Sequence, residues 1–346
     1  MSEVAAVCRD CGDPGRVVHD GLCDRHFGVE GVWRMLHCNA CDRFWLDPAP
    51  DPDELHRSYR DYYTHVDRRE RNVGAPGGFE PWLKRAVPAA RLGYRDRVSP
   101  LARCAGRAIS SFGPLRTIGE RAVLWLPARA GGRLLDVGCG SGELLARMRD
   151  LGWSVAGVEL DAEAARAARE RSGARIAATL DEMGTAEYDA VVLDHVLEHL
   201  PDAPATLAGC LRVLRPGGRL SLATPNPSSA ARERFGASWL HWDPPRHLEL
   251  RGERALRRLV EASGFAVERV FSCAGSAHFV WSASRGIERD GALPGIRVAA
   301  LPLAERLAGI RFWLGEHSRV ARGEPCGEEW IVLASRPVEA GAEAAT

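Results

Sequence analysis

Residues 133–142, Arg-Leu-Leu-Asp-Val-Gly-Cys-Gly-Ser-Gly, restrict the folds open to this chain more than any other stretch. Leu134, Leu135 and Val137 make a short apolar strand that runs through Asp136 into a glycine turn. Gly138, Gly140 and Gly142 open a helix with Leu144, Leu145, Met148 and Leu151 on one face. Glycines at such a turn take up conformations that other residues resist and let a ligand approach the backbone. A second strand, Ser154–Glu159, ends in a carboxylate about 20 residues past the turn, where it can bind ribose hydroxyls. The pattern implies a nucleoside-bearing cofactor. The dinucleotide fingerprint has a third glycine where this chain has Glu143. A negative charge there opposes a pyrophosphate at the helix N-terminus and suits a cationic sulfonium.

From residue 132 the chain alternates strand and helix. Strands are predicted near 133–137, 154–159, 175–178, 188–193 and 218–223, and helices near 141–151, 162–171, 203–214 and 253–263. This alternation predicts an α/β fold with a parallel sheet covered on both faces. Phe265–Phe271 and Glu329–Ser335 add two more strands, and residues 275–326 between them add helices over the site.

Asp136-Val-Gly-Cys-Gly-Ser-Gly142 resembles motif I of the class I S-adenosylmethionine (SAM) methyltransferases. The resemblance implies a Rossmann-like seven-stranded methyltransferase sheet whose last two strands are an antiparallel pair. It places Asp136, Gly138, Gly140, Gly142, Glu159 and its neighbour Leu160 along SAM. Asp194 and His195, directly after the fourth strand, would border the methionine moiety, because the family has a "Leu-Glu-His" segment there.

Ahead of this domain, Cys8-x2-Cys11 and Cys38-x2-Cys41 are two paired knuckles 26 residues apart. Four thiolates so spaced complete a tetrahedral zinc site with no open position, so the ion is structural. Cys23-x2-His26 lies between the pairs and is read as outside the site. Trp45-Leu-Asp-Pro-x-Pro50 and a helix from Asp53 with Leu55, Tyr59 and Tyr62 on one face follow. This layout resembles a bacterial methyltransferase subgroup that carries a small zinc ribbon, and in that pattern the positions of Cys23 and His26 are not ligands. The expected organisation is a zinc ribbon and connector (1–52), a helical bridge or lid (53–131), a SAM-binding domain (132–337, insertion 275–326) and a frayed tail (338–346).

Candidate bases are histidines, which titrate near neutral pH. Trp239-Leu-His-Trp-Asp-Pro-Pro-Arg-His-Leu248 follows the fifth strand and resembles the "P-P-R-H-L" segment of the subgroup, which is related to ubiquinone-type O-methyltransferases. Pro244 and Pro245 make the segment rigid, and its place predicts a lid over the site. His247 is the first candidate base, with His195 and His199 next. The same loop also fits a structural arginine–histidine clasp. His195-Val-Leu-Glu-His199 matches the H-x-x-E-H peptidase signature, but its position after the fourth strand favours the cofactor role. Asp243-Pro-Pro lies after the wrong strand for an amine-binding motif, and Arg246 stands in place of the aromatic.

Formal net charge is zero, so nothing draws the whole chain toward nucleic acid. Between Lys84 and Arg129 there are ten basic residues and two acidic ones. They are read either as a solvated face or as a cationic lid for an anionic acceptor, with at most a weak membrane-surface contact. Ten cysteines without a signal peptide suggest thiols, metal and a cytoplasmic protein. The expected function is methyl transfer to O or C of a small or medium-sized molecule: a sugar nucleotide, a phenol or a lipid. The alternatives are an RNA methyltransferase gripping RNA with the ribbon, and a non-catalytic SAM-binding scaffold. Oligomeric state is left open.

Overall fold

The computed structural model describes residues 6–58, 78–293 and 301–338. Tyr59, Tyr62, residues 67–77 of the bridge and residues 339–346 of the expected tail lie outside them. The N-terminal strands are β1 (Arg16–Leu22), β2 (Trp33–Cys38) and β3 (Arg43–Asp47), followed by helix α1 (Pro52–Ser58). The bridge contributes α2 (Phe79–Arg91), α3 (Pro100–Ile109) and α4 (Gly113–Arg121). The alternating part runs β4 (Arg133–Val137), α5 (Glu143–Asp150), β5 (Ser154–Val158), α6 (Ala162–Ser172), β6 (Arg175–Ala177), β7 (Tyr188–Asp194), α7 (Ala203–Val213) and β8 (Leu214–Pro225). Then come α8 (Ala230–Phe235), β9 (Glu249–Arg251), α9 (Glu253–Ala262), β10 (Ala266–Cys273), α10 (Ala277–Asp290), α11 (Leu303–Ala321) and β11 (Glu329–Ser335).

Seven strands form one sheet in the order β10-β11-β8-β7-β4-β5-β6. The four pairings from β8 through β7, β4 and β5 to β6 are parallel, and β11 runs antiparallel to both β8 and β10. Strands covered on both faces should be continuously apolar, and Leu134, Leu135, Ala190, Val191, Val192 and Leu193 are fully buried. α7 packs on the sheet with Leu207, Cys210 and Val213 buried. The expected seven-stranded sheet is present, and β8 begins four residues earlier than the predicted fifth strand.

A second sheet has the order β1-β2-β3-β9. Its last strand comes from far along the chain: Phe44 pairs with Leu250 and Trp45 with Glu249. Arg43 Nε donates to Glu249 Oε2 at 2.8 Å across that pairing. The two parts also share a hydrophobic core, in which Trp33, Met35, Phe44 and Leu46 pack with Trp239, Trp242, Leu250 and Val280. The predicted lid is therefore a packed plug: Trp239 and Trp242 are 2% and 1% exposed. Burying two indoles adds several kcal/mol of apolar contact, which holds this segment on the sheet edge.

Candidate active site

The glycine turn crosses from β4 to β5. Gly138 N and Cys139 N both donate to Val158 O, at 2.8 and 3.0 Å. Gly138, Gly140 and Gly142 have φ of 71°, 51° and 77°, the left-handed region that favours glycine. A Cβ at Gly142 would lie 2.8 Å from the Ala168 backbone of α6, and one at Gly138 2.6 Å from Val196. The turn is thus required by both conformation and close packing.

Glu159 closes the turn. Its Oε2 accepts Gly140 N–H at 2.8 Å and its Oε1 accepts Asp161 N–H at 3.0 Å. Burial raises its carboxyl above the usual range. Asp136 is buried and held well above the usual range by burial and by the nearby Asp194 and Glu159. Leu160 is 82% exposed beside Glu159. The six motif residues therefore gather at the carboxyl ends of β4 and β5, where open α/β sheets bind ligands.

The ends of β7, β8 and β11 carry a charged network. β7 stops at Asp194, and His195 takes a φ of 55°. His195 Nδ1 lies 3.1 Å from Glu198 Oε1, and its Nε2 lies 2.8 Å from Glu329 Oε1. Burial alone would drive His195 down, but hydrogen bonds to the two carboxylates win and carry it up to about 10. It is an imidazolium that donates from both nitrogens. Glu198, likewise against its burial, is pulled down to about 2 by His195, and Thr224 Oγ1 donates to its other oxygen at 3.0 Å. Arg121 of α4 completes the network: Nε donates to Glu329 Oε2 at 2.9 Å and Nη1 to Asp194 Oδ2 at 3.1 Å.

Because His195 binds its proton more tightly folded than unfolded, its stabilising contribution is full below about pH 6.5 and is lost as pH rises through about 10. His195→Gln removes that alkaline limb. The gap in unfolding free energy between wild type and variant should shrink across this window in denaturant titrations. A gap that does not change with pH contradicts the clamp.

The structure gathers the other histidines beside this clamp. His199 Nδ1 lies 3.0 Å from the Arg246 carbonyl oxygen, and His247 Nδ1 lies 2.8 Å from that of His241. Both therefore donate from Nδ1. Their rings meet edge to face at 4.7 Å, while His241 stacks on His195 at 5.7 Å and on His247 at 6.1 Å. Burial, with His247 nearby, lowers His199 to about 4, so it is neutral. Burial holds His241 well below the usual histidine range, and its Nε2 is buried without a partner. Glu198, His199 and His247 have one donor atom each within 4.8 Å of one another. Both Glu198 oxygens already accept from His195 and Thr224, and His199 and His247 are each tied to a backbone carbonyl.

Arg246 underlies the cluster and is fully buried. Its Nη1 and Nη2 donate to Asp24 at 2.9 and 2.7 Å, and its Nε donates to both oxygens of Asp243. The Arg246 side chain is clasped by carboxylates rather than by a histidine, and one of them is Asp24 of the ribbon. Sequence reasoning missed Asp24, Arg121 and Glu329. Glu329 carries a readable signal, a charge at the head of an apolar strand, since a buried charge needs a partner.

In the ribbon, Cys8 Sγ and Cys41 Sγ are 3.4 Å apart, as are Cys11 Sγ and Cys38 Sγ. All four sulfurs lie within 4.8 Å of one another, and every described cysteine is a free thiol. Cys23 is exposed and outside the group.

A sheet of this order, with a glycine turn after β4 and a carboxylate after β5, is the arrangement that the resemblance to the class I methyltransferases implies. Residues 112–270 match the methyltransferase domain family. A ubiquinone biosynthesis O-methyltransferase of Xanthomonas oryzae pv. oryzae (strain PXO99A) is 35% identical over 159 residues, covering 42% of this chain and 66% of that protein. The same-named protein of Thiobacillus denitrificans is 35% identical over 129 residues, covering 34% of this chain and 56% of that protein. A SAM-dependent methyltransferase structure from Mesorhizobium loti aligns with 64% of this chain and 98% of its own, at 19% identity and a TM-score of 0.43. The chain resembles the methyltransferases through this domain. It spans less than two thirds of the length of the curated relatives it matches. Among the described residues no helix is long and apolar enough to cross a membrane.

Proposed function

We propose that the protein transfers the methyl group of SAM to an oxygen or carbon of a small or medium-sized molecule. The observation that carries this reading is the Glu159-closed glycine turn lying on the same sheet edge as the histidine cluster. A cofactor edge and a set of titratable groups thereby adjoin. Gly138, Gly140 and Gly142 give the backbone approach, Glu159 has lone pairs left for ribose hydroxyls, and Asp136 and Leu160 flank the nucleoside. Asp194 and His195 lie at the methionine end. Bound SAM supplies an electrophilic sulfonium methyl.

The chain's own contribution is position and proton acceptance. Holding the acceptor in line with the methyl accounts for most of the acceleration. His247, tied at Nδ1 to His241 O, presents Nε2 to take the acceptor's proton, with His199 beside it. His195, locked as an imidazolium, orders the loop and cannot itself accept a proton near neutral pH. The acceptor is a small molecule. Free thiols throughout the described residues fit a cytoplasmic setting.

Calorimetry with SAM and with NAD tests the cofactor assignment. SAM binds and NAD does not, and Glu159→Ala weakens SAM by about 10- to 100-fold, the worth of hydrogen bonds to a charged group. Tight NAD binding without SAM binding overturns the assignment.

The ribbon thiols fit a structural zinc ion. A zinc–sulfur distance of about 2.3 Å places tetrahedral sulfurs about 3.8 Å apart, close to the spacing found. Burial pushes the Cys41 thiol up, and a cation at the centre would reverse that. Metal analysis of the purified protein should give one zinc per chain, unchanged by Cys23→Ser and lost with Cys41→Ser. A second zinc that disappears with Cys23→Ser rejects the four-cysteine assignment.

A further inference from the structure

The ribbon and the histidine cluster are joined by one buried strut. Asp24 sits in the loop between β1 and β2, 222 residues from Arg246. Its carboxylate organises its own loop, accepting the N–H groups of His26, Phe27 and Val29 at 2.9, 3.1 and 3.1 Å. The same carboxylate receives both terminal nitrogens of Arg246, whose guanidinium also lies 4.7 Å over the Phe27 ring. Side-chain exposure is 0% for both Asp24 and Arg246.

The strut reaches the histidines through the main chain. The Arg246 carbonyl oxygen receives His199 Nδ1–H. Arg246 N and His247 N both donate to Asp243 O at 3.0 Å, and the Asp243 carboxylate grips the same guanidinium. Any shift of Arg246 therefore moves the acceptor of His199 and the backbone that carries His247.

We propose that Asp24 is a positioning residue: through Arg246 the ribbon sets the orientation and tautomer of His199 and His247. The ribbon is then a part of the active site rather than a separate gripping module. Buried ion pairs contribute little net stability compared with apolar packing of the same volume, and their better-attested use is to fix one arrangement. The inference rests on the reading of these histidines as acceptor-side groups. Its test uses a signal that exists without any acceptor.

Asp24→Asn is the informative change. The amide keeps an oxygen for the His26 and Phe27 N–H groups and gives up the acceptor shared by Val29 N–H and Arg246 Nη1, while Arg246 stays neutralised by Asp243, so the fold has no unpaired charge. Long-range proton–nitrogen spectra of the histidine rings, in the full chain with its metal, read the tautomers directly. The wild type should show Nδ1–H forms for His199 and His247. Asp24→Asn should lose both signatures and lower any methyl-transfer rate at least tenfold. The zinc content should stay at the wild-type level and the SAM affinity within about twofold of it. Arg246→Lys keeps the charge and gives up the paired contacts, and it should reproduce the loss if Asp24→Asn fails to fold. Retention of both Nδ1–H signatures in a folded variant overturns the proposal. Loss of the signatures in a protein that transfers methyl to no phenol, sugar nucleotide or lipid supports the strut and counts against the transferase reading alone.

Discussion

His247→Ala lowers the methyl-transfer rate by about 10²- to 10⁴-fold, the usual worth of a positioned general base, and leaves SAM affinity unchanged. The ring is 5% exposed and fixed through Nδ1 to His241 O, which makes Nε2 the nitrogen that can take a proton. Truncation leaves the Asp24–Arg246–Asp243 group intact, and the loop should keep its place. Single-turnover transfer from labelled SAM, run with the active member of a panel of phenols, sugar nucleotides and lipids, gives the rate. Calorimetry gives the affinity. A stable, fully active His247→Ala protein removes this residue from the chemistry and moves the base to His199, which is held by an equivalent Nδ1 contact. Lost stability or disturbed SAM binding would instead identify His247 as a member of the clasp.

The second large effect is at the turn. Gly140→Asp abolishes SAM binding, a loss of roughly 100-fold or more from a like charge placed where burial already opposes charge. Gly140 has a φ of 51°, and its N–H is held by Glu159, so an added carboxylate enters beside one whose charge burial already disfavours. It also fills space the cofactor needs. Gly173→Asn is the control: it has φ of 66° at the end of α6 with open space around it, and asparagine tolerates that conformation. It should keep wild-type affinity. Equal losses in the two variants would show that general backbone strain, not the cofactor edge, is responsible.

How much of this could be read in the sequence follows from the range of each interaction. The sheet was legible because its strands are local apolar runs separated by helices with clean faces, as in Tyr188–Asp194 and α7. The glycine turn was legible because its residue types answer to backbone conformation. Four cysteines at paired spacing were legible for the same local reason. The ribbon's fourth strand was not. Glu249–Arg251 has a charge at each end, and its place depends on Arg43 meeting Glu249 across 206 residues. Arg121 was equally hidden, since on an arginine-rich helix nothing local separates it from Arg116. Only the sheet brings Asp194 and Glu329 to it. The tryptophan-rich loop was visible as unusual, but its packing was not: the aromatic residues fill a core shared with the ribbon rather than line a movable cover.

The pairing of β3 with β9 also bears on how the chain is made. Synthesis proceeds from the N-terminus, so the ribbon emerges with its β3 edge bare, and its partner follows only after roughly 200 more residues. At ordinary translation speeds of about 5–20 residues per second, that edge waits about 10–40 s for its mate. During that interval an unpaired strand is a template for wrong partners. Arg43 at the start of β3, a charge that the completed sheet buries against Glu249, discourages such pairing until the right strand arrives. The same arginine that seals the finished sheet thus guards the growing chain.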